Sequence, residues 1–512
     1  MCRAIQFVPL FLVLINRPDK PRLRPAASSV EINYRSGART RACNFAKNQL
    51  FIALSNGHRG REQIDRLSAG ISELVMLSAK QNDRLTRVGA GRPAGQALRR
   101  YWQPAALADE LNTQRPVKPM KLLGEDLVIF RDDKGRYGLL GRSCPHRGTD
   151  LAYGRLEDGG LRCAFHGWLF DIEGKCLQTP AEPQDSNLCR NIRQKAYPVI
   201  ERSGILFAYL GTGAPPEFPR FDCFIAPSSH TFAFKGRIDC NWLQSLEVGI
   251  DPAHTSFLHR FFNDEDPKQG YGKLFRDTSI DSVMPMTKVM REFPRPRIDV
   301  ETTDYGFRIV TLRQIDAEKT HVRVTNLLFP NAFVIPMSRE MTITQWHVPV
   351  DDTAHYWYAI FTSFGAPVDK DEMRRQRLQL YELPDYVPRK NKRNNYGFDP
   401  HEQEYETYTG MGADINVHDQ WACESMGPIA DRTQEHLGQS DKAIAAYRRL
   451  LRAAIDAVEK GSSLPIIFDA TSANAMTGPA AIDGIGPTAD CRGYWQRTDA
   501  NKRNAAAWAD LS

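Results

Sequence analysis

The chain has 512 residues, of which 42% are hydrophobic and 25% are charged, a composition typical of a globular protein with room for two or three domains. Its net charge is +6, but the first 75 residues alone hold 12 lysines and arginines against 5 acidic residues. The remainder is close to neutral, so the sequence predicts binding neither to nucleic acid nor to a membrane. The ten cysteines show no paired framework, from which we expect free thiols and a cytoplasmic location.

Residues 1–75 lack the periodicity of a folded domain. The apolar run from Ile5 to Ile15 is too short to cross a bilayer, and no convincing cleavage site of a signal peptide follows it. We expect this segment to be a poorly ordered leader or a mis-assigned start, with translation beginning at Met76.

The first domain is expected over residues 76–215. A capping box at Ser78-Ala-Lys-Gln81 begins a short helix, and a second helix begins at Pro93. Apolar and polar residues then alternate over 121–131, 136–140 and 197–209, which predicts short paired strands in a small all-β module.

Two short loops of this module contain residues that can bind metal. They read Cys144-Pro-His146-Arg-Gly-Thr and Cys163-Ala-Phe-His166-Gly-Trp. A [2Fe–2S] cluster with two cysteines on one iron and two histidines on the other needs this set of ligands. Zinc also accepts two cysteines and two histidines, but zinc sites usually take their paired thiolates from one knuckle. The mixed order within each loop favours the cluster, and the pattern resembles the Rieske motif.

A proline- and glycine-rich linker over 211–219 separates a second domain, expected over residues 220–461. A polar helix is predicted over 370–383, and a longer helix is predicted to begin at Ser440 and end at Gly461. Residues 462–512 are rich in Ala, Gly, Thr and Asp and are expected to form a C-terminal arm. Alternating segments predict an antiparallel sheet from strands at 231–234, 307–313, 322–328, 341–347 and 355–361.

A second candidate metal site begins at Asp251-Pro-Ala-His254 and continues to His259. Asp251 and Pro252 are a good N-cap and first-turn pair, which predicts that a helix restarts there. On a regular helix His254 and His259 would lie about 140° apart, so sharing one ion would require an irregular turn. Taken alone, two such histidines are more often satisfied core or surface residues.

The cluster motif upstream makes a metal site at these histidines more plausible, because an electron carrier needs an acceptor. Two histidines and one carboxylate form the facial triad of non-haem Fe(II) oxygenases. We favour Asp419 as the carboxylate because it begins a segment that can run as a helix, although it could instead be a solvated N-cap. The carboxylates considered were Asp414, Asp419, Glu424 and Asp431.

Together these motifs resemble the large, oxygenase component of Rieske non-haem iron aromatic-ring-hydroxylating oxygenases, and more nearly the phthalate 4,5-dioxygenase-like group. The resemblance covers Met76 to about Gly461 and includes the segment from Gly427 to Gly438. It implies an α+β fold, in which a small all-β Rieske domain precedes a helix-grip-like catalytic domain with an antiparallel sheet. It also implies one [2Fe–2S] Rieske cluster on Cys144, His146, Cys163 and His166, and one mononuclear non-haem Fe(II) on His254, His259 and Asp419.

The resemblance further implies that Asp251 is catalytic, bridging His254 to His166 of a neighbouring subunit in a homotrimer or a multiple of one. Electrons would come from a separate flavin and iron–sulfur reductase, since no G-x-G-x-x-G fingerprint follows a strand. The expected substrate is an aromatic acid of the phthalate, halobenzoate or phenoxybenzoate type. Its carboxylate would be bound by an arginine that the sequence does not identify among Arg276, Arg291, Arg308, Arg313 and Arg323.

Three other functions remain open from the sequence. An O-demethylating Rieske monooxygenase would use the same metal sites. A Rieske electron-transfer protein would need only about a hundred residues, which leaves the second domain unexplained. A zinc-stabilised binding protein would hold no iron and would be colourless.

Overall fold

A computed structural model of the chain describes residues 76–263 and 286–509. The predicted leader over 1–75 lies outside the described residues, and so does Arg276. The described residues belong to one compact unit, Glu73–Ser512. None of the helices in these two ranges combines the length and the apolar character that a membrane span requires.

The first part of this unit consists of short strands after two helices. Its helices are α1 (Ala79–Thr86), α2 (Pro93–Leu98) and α3 (Leu188–Asn191). Its strands are β1 (Gln103–Leu107), β2 (Val117–Leu122), β3 (Glu125–Arg131), β4 (Tyr137–Gly141), β5 (Arg155–Glu157), β6 (Gly160–Arg162), β7 (Leu169–Phe170), β8 (Cys176–Gln178), β9 (Ala196–Tyr197), β10 (Val199–Arg202) and β11 (Ile205–Ala208).

These strands form three small antiparallel sheets, in the orders β2-β3-β4-β9, β5-β6-β7-β8 and β1-β11-β10. Apolar side chains between the two four-stranded sheets make a local core, among them Val128, Phe130, Leu140, Leu161 and Phe170. Such hairpins suit short strands, because each strand needs a neighbour to satisfy its backbone N–H and C=O groups. The prediction of a small all-β module is confirmed.

The second part combines a large sheet with longer helices. Its strands are β12 (Thr231–Ile238), β13 (Arg297–Thr303), β14 (Gly306–Gln314), β15 (Lys319–Leu328), β16 (Ala332–Pro336), β17 (Met341–Pro349), β18 (His355–Ser363), β19 (Tyr381–Glu382), β20 (Val387–Pro388) and β21 (Ile482–Pro487). Its helices are α4 (Asp222–Ile225), α5 (Trp242–Gly249), α6 (Met286–Glu292), α7 (Lys370–Leu380), α8 (Pro400–Tyr405), α9 (Ile415–Ser425), α10 (Lys442–Lys460), α11 (Ala470–Ala475) and α12 (Cys491–Asn504).

Eight strands form one antiparallel sheet in the order β12-β18-β17-β16-β15-β14-β13, with β21 paired to β15. All five strands predicted for this region are present, each extended by a few residues. Helices α5 and α10 pack on the apolar face of the sheet, where Ile444, Leu451 and Ile455 of α10 are buried. The α+β fold with an antiparallel sheet is therefore confirmed.

The C-terminal segment differs from the expected arm. Its residues Ile482–Pro487 pair along β15, and Trp495 of α12 packs with Val322 and Val324 on the outer face of the sheet. The high content of small and polar residues suggested an arm, but the glycines Gly484 and Gly486 of this segment are needed for packing. A Cβ at Gly484 would overlap the hydroxyl oxygen of Tyr494, and one at Gly486 would overlap its ring, so the strand needs glycine for α12 to lie against it.

Candidate metal centres

The two cysteine–histidine loops have the same backbone design. The first follows β4, and the second joins β6 to β7. In each loop a glycine four residues after the cysteine donates its N–H to the cysteine carbonyl, Gly148 to Cys144 at 2.8 Å and Gly167 to Cys163 at 3.0 Å. Both glycines have positive φ, +80° and +76°, which explains their presence in both loops.

The donor atoms of these loops divide into a buried pair and an outer pair. Cys144 and Cys163 are 2% and 4% exposed, whereas His146 is exposed and His166 partly exposed. The two imidazole rings lie 4.5 Å apart, and His146 stacks on Trp168. Burial raises the pKa of the Cys144 thiol to about 11, so a bound cation is needed to keep it ionised. This donor set fits a Rieske [2Fe–2S] cluster, for which the two buried cysteines would supply thiolate ligands and the two outer histidines would supply imidazole ligands.

Two arginines brace the loops. Arg142 lies before the first loop and Asp150 after it, and their ion pair has an Nη2–Oδ2 distance of 2.6 Å. Hydrogen bonding from Arg142 lowers the pKa of Asp150. Arg162 donates to the carbonyl of Gly167 at 2.7 Å and fixes the second loop. Both arginines belong to the same β module as the two loops, so the loops are held by local contacts.

The second site begins where α5 ends, at Gly249. The predicted restart of a helix at Asp251 is wrong, because the chain instead makes a single 3₁₀ turn over His254–Ser256. Asp251 Oδ1 accepts the N–H of Ala253 at 2.7 Å, so this carboxylate closes a tight turn instead of capping a helix.

This turn brings both histidines to one point. The Nε2 atoms of His254 and His259 are 3.2 Å apart, and Asp419 Oδ1 lies 3.7 Å from the first and 3.2 Å from the second. Within the described ranges, these three form the one group of His, Cys, Asp or Glu ligand atoms found close enough to hold an ion. Two imidazoles and one carboxylate, all partly buried, fit a ferrous ion with positions left for other ligands.

The structure distinguishes Asp419 from the other carboxylates considered. Asp419 lies inside α9, and the N-cap of that helix is Asp414, so the alternative of an N-cap role for Asp419 is wrong. Glu424 accepts from Tyr396 Oη at 2.8 Å, and Asp431 accepts from the backbone N–H of Thr433 at 3.0 Å. Of the four carboxylates, Asp419 is the one that meets the histidines.

Hydrogen bonds at Nδ1 orient both histidine rings. His254 Nδ1 donates to the Asp251 carbonyl at 2.5 Å, and His259 Nδ1 lies 3.4 Å from His418 Nδ1. His418 Nε2 donates to the Gly412 carbonyl, which leaves its Nδ1 as an acceptor. Burial lowers the pKa of His418 to about 4, so the ring stays neutral. Both Nε2 lone pairs are thereby directed at the site.

Sequence reasoning missed His418, whose signal was its position next to Asp419. The sequence also predicted a contact between Asp251 and His254, but the contact in the structure differs from the carboxylate bridge that was expected. The backbone carbonyl of Asp251 holds the ring, while its carboxylate Oδ2 lies 3.9 Å from His254 Nδ1.

Buried polar contacts join the helices on which the site depends. Gln244 of α5 donates to the carbonyls of Cys423 and Gly427, at the end of α9 and just beyond it, at 2.8 and 2.9 Å. Glu247 of α5 pairs with Arg432 at 2.8 Å and with Arg448 of α10 at 2.6 Å. Burial alone would raise the pKa of Glu247, but the two arginines lower it. The group of His254, His259 and Asp419 is therefore held together by tertiary packing.

An open groove of about 930 Å³ runs beside this site. Asp251 and His254 line it, with residues drawn from 248–427 and none from the β module. Several of its apolar side chains are exposed, namely Phe257, Phe398, Tyr408 and Met426.

Two family models match the chain. The model of the Rieske [2Fe–2S] domain matches residues 101–198, and the model described as LigXa C-terminal domain like matches residues 208–507. The second match alone covers more than half of the chain and includes His254, His259, Asp419 and β21.

Full-length relatives agree with these matches. The phthalate 4,5-dioxygenase oxygenase subunit of Pseudomonas putida is 37% identical over 76% of this chain and 88% of its own length. The 5,5'-dehydrodivanillate O-demethylase oxygenase subunit of a Sphingobium species is 33% identical over 75% and 82%. The 3-chlorobenzoate-3,4-dioxygenase oxygenase subunit of Comamonas testosteroni is 31% identical over 76% and 91%. The chain therefore belongs to the Rieske non-haem iron oxygenases of the phthalate 4,5-dioxygenase-like group, oxidoreductases that carry a Rieske [2Fe–2S] cluster and a mononuclear non-haem iron.

Proposed function

We propose that this chain is the oxygenase component of a multicomponent system that uses O2 and electrons from a separate NAD(P)H reductase to hydroxylate or dihydroxylate an aromatic acid. The observation that carries this proposal is the convergence of His254, His259 and Asp419 beside an open groove. When bound, the cluster supplies single electrons and the ferrous ion supplies the site of O2 activation.

The proposal assigns the ligands to two modules. Cys144, His146, Cys163 and His166 hold the cluster in a module of residues 76–215. The three convergent residues hold iron in a module of residues 220–461, completed by β21. The donor chemistry of each set supports this assignment, with buried thiols at one site and two oriented imidazoles at the other.

The substrate class follows from the relatives' names, which include phthalate, 3-chlorobenzoate and phenoxybenzoate dioxygenases. An aromatic acid is therefore the proposed substrate. O-demethylation is the second candidate reaction, because one relative of 33% identity is an O-demethylase oxygenase subunit. Both reactions use the same metal sites and differ in which part of the substrate faces the iron.

We assign the electron path to two copies of the chain packed head to tail, as in a homotrimer or a multiple of one. The cluster loops present exposed His146 and Phe165, the latter 53% exposed and packed on His166, and Tyr153 just after the first loop is 75% exposed. The groove beside His254 is also apolar and open. Exposed aromatic residues of this kind favour a protein interface, and the cluster loops of one copy are the proposed occupant of the next copy's groove.

Asp251 is the proposed bridge across that interface. Its carboxylate lines the groove, with Oδ2 3.9 Å from His254 Nδ1, so a small side-chain movement would allow it to contact both His254 and an incoming imidazole. We expect Asp251→Asn to retain both metals and to lose turnover, because the amide replaces one acceptor oxygen by an NH2 donor and so cannot accept from two imidazoles through two oxygens. Turnover at the wild-type rate in this variant would remove the bridge from the proposal.

The proposed function is tested by O2 uptake with a flavin and iron–sulfur reductase. The substrate panel is phthalate, 3-chlorobenzoate, phenoxybenzoate and dehydrodivanillate, and product analysis separates ring hydroxylation from O-demethylation. We expect substrate-dependent uptake and about three irons per chain. About two irons per chain with no uptake would identify an electron carrier instead.

Because the eight described cysteines are all free, we propose a reducing cytoplasmic location.

A further inference from the structure

Arg313 of β14 is a buried cation with unused hydrogen-bonding capacity. It is 1% exposed, and its Nη2 donates to the Pro252 carbonyl at 3.0 Å and to Ser256 Oγ at 3.4 Å. Its Nε and Nη1 have no hydrogen-bond partner. Burial lowers the pKa of Arg313 to about 10, so the guanidinium remains charged at neutral pH. A buried charge left in this state is costly, which points to an anion that the free chain does not supply.

The side chains around Arg313 show the same shortage of partners. Thr311 lies on the same face of β14, and His321 is directly opposite Arg313 on β15. Both are fully buried, and Thr311 Oγ1 and His321 Nδ1 also lack partners. The nearby carboxylate of Asp483 is occupied by His321 Nε2 and by Arg323. These unpartnered polar atoms lie together on adjacent strands, beside the turn that carries His254.

The other arginines considered for substrate binding have protein partners. Arg308 pairs with Glu301 and lies over the ring of Trp495 on the opposite face of β14. Arg323 pairs with Asp483, and Arg291 donates to the carbonyl of Phe261. Of the four candidate arginines that the structure describes, Arg313 is distinguished by two buried nitrogens without a partner, Nε and Nη1, and by the lack of a paired carboxylate, whereas Arg308 has one such nitrogen, Nε, and is paired with Glu301.

We infer that Arg313 binds the carboxylate of the substrate through Nε and Nη1, and that the polar atoms of Thr311 and His321 complete the acid-binding region. This inference rests on the proposed function and specifies how the iron site selects an acid. Charge-assisted hydrogen bonds from a guanidinium to a carboxylate are among the stronger polar contacts. The Nη2 atom meanwhile holds Pro252 and Ser256 on either side of His254, so the residue that recognises the acid also positions the iron-binding turn.

Calorimetric titration of the metal-loaded protein with phthalate and with its neutral dimethyl ester tests the assignment. We expect Arg313→Gln to weaken phthalate binding about 10–100-fold and to leave binding of the ester within about 3-fold. Arg313→Lys keeps the charge and should bind phthalate with an affinity between those of the wild type and Arg313→Gln. The control is Arg308→Gln, on the same strand but the opposite face, which should bind phthalate as the wild type does.

Two results would overturn the inference. One is phthalate binding by Arg313→Gln at the wild-type affinity, and the other is an equal loss for acid and ester, which would indicate general damage to the pocket. A wild-type protein that takes up O2 with neutral compounds but binds no aromatic acid would also reject it, while the oxygenase function would stand. Absence of O2 uptake with every compound of the panel would instead reject the proposed function itself.

Discussion

The two metal centres are built in opposite ways. The four proposed cluster donors lie between Cys144 and His166, on two loops of similar turn geometry within one β module. The proposed iron donors extend from His254 to Asp419 and meet because two helices pack together. Local turn chemistry therefore builds the first site, and tertiary packing builds the second.

This difference predicts different sensitivities. The cluster loops depend on hairpin hydrogen bonds and on an ion pair that is about one-third exposed, Arg142–Asp150. The iron site depends on buried polar groups of α5, above all Glu247 with its two buried arginine partners. Changes far from the iron should therefore disturb it more than comparable changes disturb the cluster.

The largest effect is expected from Asp419→Ala. Loss of one of three ligands should lower the iron content from about three to about two per chain and reduce O2 uptake to background, because the remaining pair of histidines no longer forms a facial triad. The visible absorption of the cluster should be unchanged. Iron analysis and spectra of the purified protein measure both quantities.

Asp414→Ala is the matched control, since it removes the N-cap of the same helix. It should cost about 1 kcal/mol of stability and retain all the iron. Full iron content in Asp419→Ala would contradict the ligand assignment and, with it, the view that the iron site is assembled across α9.

Glu247→Gln should destabilise the protein by about 3–5 kcal/mol, because it leaves Arg432 buried without a carboxylate and Arg448 with Glu435 as its remaining one. Urea unfolding at pH 7 gives this value. The pKa of Glu247 is lowered in the folded protein, so its contribution is present above the unfolded-state pKa of about 4.3 and is lost as pH falls through the folded value. The wild type and Glu247→Gln should therefore have similar stabilities in acid.

The exposed pair of Glu382 with Arg389 supplies the control for that experiment. Glu382→Gln should change stability by less than about 1 kcal/mol, because both side chains are about half exposed. If Glu247→Gln lowers the stability of the protein no more than this control does, α5 is held mainly by apolar packing.

His418→Phe should weaken iron binding about 10–100-fold, because His259 loses the acceptor that fixes its ring. Competition with a ferrous chelator measures the affinity, and the cluster spectrum serves as an internal reference. His401→Phe, at an exposed position on α8, should leave the affinity unchanged. Equal affinities in the two variants would assign His418 a packing role only.

The sequence was sufficient for features that depend on neighbouring residues. The cysteine–histidine loops with their glycines, the five strands of the sheet, and the polar helix at Lys370 all follow from local spacing or period. The need for an irregular turn between His254 and His259 also followed from helix geometry alone. Asp419 could be favoured over three other carboxylates, but its position inside α9, instead of at its start, required the structure.

Features that depend on distant packing could not be predicted. The helix expected at Asp251 is replaced by a turn, because the same aspartate can cap a helix or close a tight turn, and here its Oδ1 accepts from the N–H of Ala253. Strand β21 has glycines for a reason that lies in α12. The unsatisfied atoms of Arg313 become visible only when every neighbour is known.

The smallest effect is expected from Arg142→Gln, which removes the brace across the first cluster loop. Because both partners are about one-third exposed, stability should fall by less than about 1 kcal/mol, and the cluster should be retained at pH 7. Hydrogen bonding from Arg142 lowers the pKa of Asp150, so the contribution of this pair exists above the unfolded-state pKa of about 3.9 and is lost as pH falls below it. Urea unfolding and visible spectra at pH 7 and at about pH 3, below the unfolded-state pKa of Asp150, measure both effects. Loss of the cluster at pH 7 would mean that its loops also depend on a single side-chain contact, and the contrast with the iron site would fail.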